Sequence, residues 1–367
     1  MKKSFRIIIG SIFVSLTSCG LLLAQPDSSP QMHAHFINVG QADSTLLEFP
    51  CGAVLIDAGA QDTAYQDKLI QYLNTFFQGR PELTNTLEAV FITHPHIDHT
   101  FALKRVVQDF NVKRFIENGQ TRGSGVANIN WVRSEAPQRH ITLRTILNSE
   151  VMKAGNKKGL TDDTIDPLHC DKCDPKIVIY SGQWDNHPNW PQSELDSNNN
   201  EHSLVIRIDF GQSSFLFPGD LETYAIQSLL DFYGGTPGSN GTNALNVFDV
   251  DVYHVDHHGS SNGTTTAWVQ ALTPSFAVIS CGQWNYGQGT ANPFTTWAYG
   301  HPRKVTLDLL SSVITATRTD PVWIQAATGA RKFSQTVVRK NIYATAWDGN
   351  IEIGASLQHV FTVSRNN

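Results

Sequence analysis

At 367 residues, with 40% hydrophobic and 16% charged content, the chain has enough apolar material for one large domain or two ordinary ones, which excludes a disordered or fibrous protein. Twenty-seven Lys and Arg against 33 Asp and Glu give a net charge of −6, so the chain as a whole carries no basic footprint for coating nucleic acid or an acidic membrane.

The first element in chain order is an export signal: Lys2, Lys3 and Arg6 flank and precede the apolar run 7–14. Two processing sites compete at its end. Leu16-Thr17-Ser18-Cys19 resembles a bacterial lipobox with Cys19 as the acylated residue, whereas cleavage after Ala24 frees a soluble chain beginning at Gln25. The expected location is therefore periplasmic or extracellular, or lipid-anchored at the cell envelope. No later segment is long and apolar enough to suggest a membrane span. Cys51, Cys170, Cys173 and Cys281 fit an oxidising compartment. Cys170-Asp-Lys-Cys173 reads first as a local disulfide; a redox pair, half a zinc site and two free thiols are the alternatives.

From His33 the pattern is one of short strands, 33–38, 44–49 and 53–57, with Gly and Pro breaks between them. Tyr65, Leu69, Tyr72 and Leu73 give helical spacing over 62–77, and 88–93 is an apolar strand that ends in a loop of histidines. A helix is expected over 101–110. The stretch 118–200 is rich in Gly, Asn, Asp and Pro, with only 139–151 and 176–181 looking regular, and reads as an insertion on one rim. Strands then return at 203–210, 214–217, 249–255 and 276–280, with helices at 221–232, 265–272 and 304–310. Two similar halves of this kind bury their elements as two face-to-face sheets with helices outside both, an α/β αββα four-layer sandwich. Residues 33–367 form one domain on this reading, and 1–24 the signal.

Thr93-His94-Pro95-His96-Ile97-Asp98-His99 sets four metal-ligand side chains within six residues at the end of an apolar strand. A His-rich surface loop would explain one or two of them. Two further sets stand at later strand ends, Asp220 in Phe-Pro-Gly-Asp and the run Asp256-His257-His258-Gly259-Ser260. Three such clusters point to two adjacent metals, with Asp220 able to bridge them.

On these residues the chain resembles the metallo-β-lactamase-fold hydrolases, whose HxHxDH signature is met by His94, His96, Asp98 and His99. The likeness covers roughly 33–353. It is nearest to the ComEC-type branch, through the segments 39–43, 55–59, 200–205, 218–220, 257–260, 300–302 and 345–349 in order. The resemblance implies His94 and His96 as ligands of a first metal, Asp98, His99 and His257 as ligands of a second, and Asp220 as the bridge. Asp98 also holds or orients the nucleophilic water. His202 is either the third histidine of the first metal or a solvent-facing residue. His258 contacts substrate, protonates a leaving group, or makes a structural hydrogen bond. Asp57 supports the metal loop from behind, and Gln41 and Asp43 either meet the substrate or cap their turn. Thr100-Phe101-Ala102 replaces the family's usual Gly-Gly pair, so Phe101 is expected to narrow the mouth of the site.

The function that follows is an exported hydrolase using a metal-bound hydroxide on a phosphodiester. The cofactors implied are two divalent metal ions, zinc first, with manganese or iron as alternatives. Nucleic acid is a candidate substrate by resemblance only. The alternatives are hydrolysis of a lactone, thioester or β-lactam and, in another class, an anchored binding module with a structural metal site.

Overall fold

The computed structural model describes residues 31–154, 158–234 and 245–366, with only the backbone of 245 and 246. The export signal and Cys19 lie outside the described residues. The chain enters a first sheet with β1 (Met32–Phe36), β2 (Thr45–Phe49) and β3 (Gly52–Ile56). A two-residue strand, β4 (Thr86–Leu87), precedes β5 (Ala89–Ile92), and a second, β6 (Asn111–Val112), precedes β7 (Arg114–Glu117) and β8 (Thr142–Thr145). It then crosses to a second sheet with β9 (Lys176–Ser181), β10 (Val205–Phe210), β11 (Ser213–Phe217), β12 (Val252–His254) and β13 (Phe276–Ile279). A long hairpin, β14 (Thr317–Gly329) and β15 (Lys332–Lys340), stands apart. β16 (Ile342–Ala344) returns to the second sheet, and β17 (Asn350–Ala355) with β18 (Phe361–Asn366) completes the first. The orders are β18-β17-β1-β2-β3-β5-β7-β8 and β16-β13-β12-β11-β10-β9.

The strands are apolar on both faces because both faces are covered. Phe36, Leu47, Val54 and Phe91 of the first sheet meet Ile206, Phe215, Phe217 and Val252 of the second in the middle core. Their neighbours Leu46, Leu55 and Val90 point the other way, onto Leu69 and Leu73 of the helix Thr63–Gly79 and Val106 of the helix Leu103–Asp109. On the far side, Leu216, Tyr253 and Ala277 meet Leu229, Trp268 and Leu310 from three further helices. Three apolar layers between four layers of secondary structure are the αββα sandwich expected from the sequence.

The first helix begins where its chemistry says it should: Asp62 accepts a hydrogen bond from the Tyr65 amide at 3.1 Å and caps the free N-terminus. Within 118–200 the sequence pattern overlooks a helix, Val126–Arg139. Its two Asn residues and Pro137 are weak helix formers, and only Ile129, Val132 and Ala136 are buried, so tertiary contact rather than propensity holds it. The same stretch supplies the edge strand β8 to the first sheet and β9 to the second. Among the described residues no helix is long and apolar enough to cross a membrane.

The cysteine expectation is corrected. Cys170 pairs with Cys51, 119 residues earlier, across a Cα separation of 5.2 Å, and Cys173 is a buried free thiol. Spacing suggested the near neighbour; the fold instead brings the β2–β3 turn against the segment before β9. Non-reducing peptide mapping should recover Cys51 and Cys170 in one linked pair. The double variant Cys51→Ser, Cys170→Ser should lose about 2–5 kcal/mol of stability, read as a lowered urea midpoint.

Candidate metal centre

Five strand ends meet at one edge of the sandwich. β3 and β5 run parallel, as do β11, β12 and β13, so the segments after Ile56, Ile92, Phe217, His254 and Ile279 emerge together. The loop after β5 is tied down by its backbone. Asp43 N donates to Asp98 O at 3.0 Å, Ala58 N to His99 O at 3.0 Å and Gly59 N to Asp43 O at 2.8 Å. Gly59 is required by this closeness, because a Cβ there would fall 1.6 Å from the Asp98 carbonyl oxygen.

Asp57, buried and in the left-handed region at φ 57°, is the anchor of the loop. It accepts from Thr93 N and Thr93 Oγ1, each at 2.8 Å, and from His99 Nδ1 at 2.7 Å. A carboxylate accepts only, so the His99 proton sits on Nδ1 and Nε2 faces the site. His258 is fixed in the same manner, its Nδ1 donating to Ser280 O at 2.7 Å. The Nε2 atoms of His99 and His258 are buried and make no hydrogen bond, although Asp220 Oδ1 lies 3.2 Å from the first and Asp98 Oδ2 lies 3.4 Å from the second.

Two ligand sets share Asp220. One is Asp98, His99, Asp220 and His258; the other is His94, His96 and Asp220, with His94 Nε2 3.0 Å from His96 Nδ1 and 3.7 Å from Asp220 Oδ2. Buried imidazole nitrogens aimed at shared carboxylates fit a pair of divalent cations.

Electrostatics describe the same balance without metal. Burial works against charge on Asp220, but the charges of His99, His258 and His257 hold its carboxyl well below the usual range. Burial likewise opposes charge on His258, yet the carboxylates of Asp220 and Asp98 facing its Nε2 push it up to about 9. His99 is raised against burial by Asp220 and Asp57. Protons therefore occupy the place that cations would take.

Six of the sequence-derived residues, His94, His96, Asp98, His99, Asp220 and His258, meet here. One, His202, does not take the place expected, while His257 reaches Asp220 from the cavity wall. His202 points away: Nδ1 accepts from Trp184 N at 3.0 Å and Nε2 donates to Leu195 O at 3.1 Å. Asn200, two residues earlier, reaches the cavity instead, donating to Glu222 Oε1 at 2.7 Å. The neighbouring histidines both approach the shared carboxylate, His257 Nε2 and His258 Nε2 each lying 3.8 Å from Asp220 Oδ2. Consecutive left-handed residues, His257 at φ 48° and His258 at φ 52°, turn His258 inward, while His257 stands at the cavity wall with Nδ1 3.0 Å from Glu222 Oε1.

Asp43 lies behind the cluster, near Asp57 and His99, its pKa raised to about 7 by burial and then by the Asp57 charge. Gln41 does reach the rim, accepting from Gly282 N and Thr296 Oγ1. Asp256 is turned away and accepts from Trp268 Nε1 at 2.9 Å. His301, Glu222 and Asn200 carried no ligand motif in the sequence, yet they stand at or beside the cluster.

A cavity of about 560 Å³ opens over the cluster. A larger one, about 630 Å³, lies beside His35 and Tyr72 and contains none of these residues. Only the first combines concavity with converging ligands.

Residues 37–125 match the Metallo-beta-lactamase superfamily. ComE operon protein 3 of Bacillus subtilis is 24% identical over 319 residues, covering 84% of this chain and 34% of that protein. Recombination protein 2 of Haemophilus influenzae is 33% identical over 95 residues, covering 26% of this chain and 10% of that protein. The chain thus spans about a third or less of these curated relatives. Among solved structures, the metallo-beta-lactamase fold protein YhfI from Bacillus subtilis aligns with a TM-score of 0.36 at 14% identity, over 67% of this chain and 85% of that chain.

Divalent cations bound here would displace the protons on His99 and His258, so adding zinc to the metal-free protein at pH 7 in weak buffer should release on the order of two protons per chain, measured by a pH indicator. Gly59→Ala should abolish that release by displacing the Asp98 backbone.

Proposed function

We propose that this chain, a metallo-β-lactamase superfamily protein related to the ComE-type competence proteins, is a metal-dependent hydrolase that cleaves a phosphodiester. The observation that carries the reading is the sharing of Asp220 by two ligand sets. His94, His96 and Asp220 would hold one divalent cation, and Asp98, His99, His258 and Asp220 the other. Zinc is the first candidate for this nitrogen and oxygen donor set, with manganese or iron next. Bound there, such cations supply Lewis acidity toward a phosphoryl oxygen and make an attacking water more acidic.

The chain's own residues do the rest. Asp98, partly open to the cavity, orients the water and accepts its proton. Asp57 and the Ser280 carbonyl keep His99 and His258 in register. His257, at the wall with Glu222 behind its Nδ1, is placed to donate a proton to the departing oxygen, so that water plus diester gives a phosphomonoester and an alcohol. The proton-donor role thus moves from His258 to its neighbour.

Export is part of the proposal. The signal at 1–24 and a disulfide between Cys51 and Cys170 both suit an oxidising compartment, with release after Ala24 or a lipid anchor at Cys19 as its two forms. Substituting Cys19 by Ala and following membrane association separates them.

The decisive experiment is turnover by the metal-loaded protein of bis-p-nitrophenyl phosphate, a dinucleotide, DNA, a lactone, a thioester and a cephalosporin. Phosphodiester turnover is expected. Hydrolysis of the acyl substrates alone overturns the reading, and no turnover with full metal occupancy points to a structural site. Asp220→Ala and His258→Ala should each remove activity and lower metal stoichiometry while leaving the circular dichroism unchanged. His257→Gln should keep both metals and slow a diester with an alkoxide leaving group by about a hundredfold, with little effect when p-nitrophenolate departs.

A further inference from the structure

The cavity over the metal cluster has an unusual lining for a site that handles anions. None of its lining residues is a lysine or arginine. Any phosphate other than the one at the cluster therefore meets no lysine or arginine there. The outer wall is instead aromatic, and it is continuous. Phe294, 70% exposed, lies 6.3 Å from the Tyr299 ring; Tyr299 stacks on His301 at 5.5 Å and 16°; His301 stacks on His258 at 6.2 Å and 28°. A row of four rings thus leads from solvent to the cluster. Phe101 and Tyr286 also line this cavity.

The wall is braced from outside. Trp297, between Phe294 and Tyr299 in sequence, stacks on Phe333 of the β14–β15 hairpin at 5.3 Å and 13°, and Trp284 packs on the same ring at 5.6 Å. Gln41, on the inner side, holds the other face of the loop through Gly282 and Thr296. A row that runs from the exposed rings of Phe294 and Tyr299 to buried His301, in a cavity with no lysine or arginine, offers stacking surface rather than charge.

Building on the phosphodiesterase reading, we propose that the row Phe294–Tyr299–His301 is a specificity wall for one uncharged planar ring beside the scissile phosphate, a nucleobase, and that the preferred substrate is a short diester rather than a long polyanion. A volume near 560 Å³ suits a ligand of that size. Stacking on aromatic side chains accepts any base, and Gln41, Gln61 and Asn292 line the same cavity.

The test compares thymidine 5′-(p-nitrophenyl phosphate) with methyl p-nitrophenyl phosphate, which share one leaving group and differ in the flanking group, a nucleoside against a methyl. The nucleoside ester should show kcat/KM about tenfold or more above the methyl ester. Phe294→Ala, a change at an exposed ring, should erase most of that advantage, bringing kcat/KM of the nucleoside ester down toward that of the methyl ester. For the dinucleotide d(TpT), kcat/KM should vary by less than about threefold between low and moderate salt, since no lysine or arginine lines the cavity. Equal turnover of the two esters, an indifferent Phe294→Ala variant, or a long single strand strongly preferred with steep salt dependence overturns the proposal. Binding of d(TpT) to metal-free protein, followed by saturation transfer to its base protons, stands apart from catalysis. If neither ester is hydrolysed, the phosphodiesterase reading fails; base-proton transfer that is absent, or unaltered in a Phe294→Ala, Tyr299→Ala variant, defeats the wall.

Discussion

The Asp220 carboxylate is the point on which the site depends. It arrives from the end of β11 in the second sheet, yet two of its histidine neighbours, His94 and His99, come from the end of β5 in the first. Neither sheet alone has a site. The face-to-face core of Phe36, Phe91, Phe215 and Phe217 sets the distance between the two strand ends, and through it the distance between the ligands. A close-packed apolar interior resists small displacements, so side chains unrelated to the chemistry fix its geometry.

The charges make the same arrangement costly to leave bare. Asp57, Asp98 and Asp220 are held among buried histidines, with Asp43 behind them near neutrality. Burial disfavours every charged form, and only mutual pairing offsets it. Cations bound at such a cluster would displace its protons with little rearrangement, because Asp57 and the Ser280 carbonyl already orient the imidazoles.

Much of this was legible in the sequence, for physical reasons. Apolar strands with ligand-rich ends read directly as a layered fold with a site at one edge, and HxHxDH concentrates its ligands within one loop. What escaped depended on relations that the chain order does not record. Cys51 and Cys170 meet only after folding, and a nearer cysteine invited the wrong pairing. His202 looked like a ligand by position, but the 3-10 turn 200–202 directs it toward Trp184 and Leu195 and leaves Asn200 facing the cavity. That His258 joins His257 beside Asp220 follows from two left-handed residues in succession, a conformation that spacing cannot reveal for non-glycine residues. Phe294 and Tyr299 form part of no ligand motif; their significance appears only when their rings are found to line up with His301 and His258.

The loop that carries the ligands and the loop that carries the aromatic wall are held by different contacts, although His301 stacks on His258 where they meet. The metal loop is locked by backbone hydrogen bonds to the segments 43 and 57–59 and has no room at Gly59 for even a methyl group. The aromatic wall belongs to the loop 282–300, which is more exposed and is held by side chains: Gln41 on one side, and Trp284, Trp297 and Phe333 on the other. Substitutions in the wall can alter which flank is accepted while the distances between His99, His258 and Asp220 stay fixed. Changes beside Gly59 have no such freedom, because they move Asp98 itself. A fold that sets its ligands through a shared core and its substrate wall through a braced outer loop can change substrates without rebuilding its metal site.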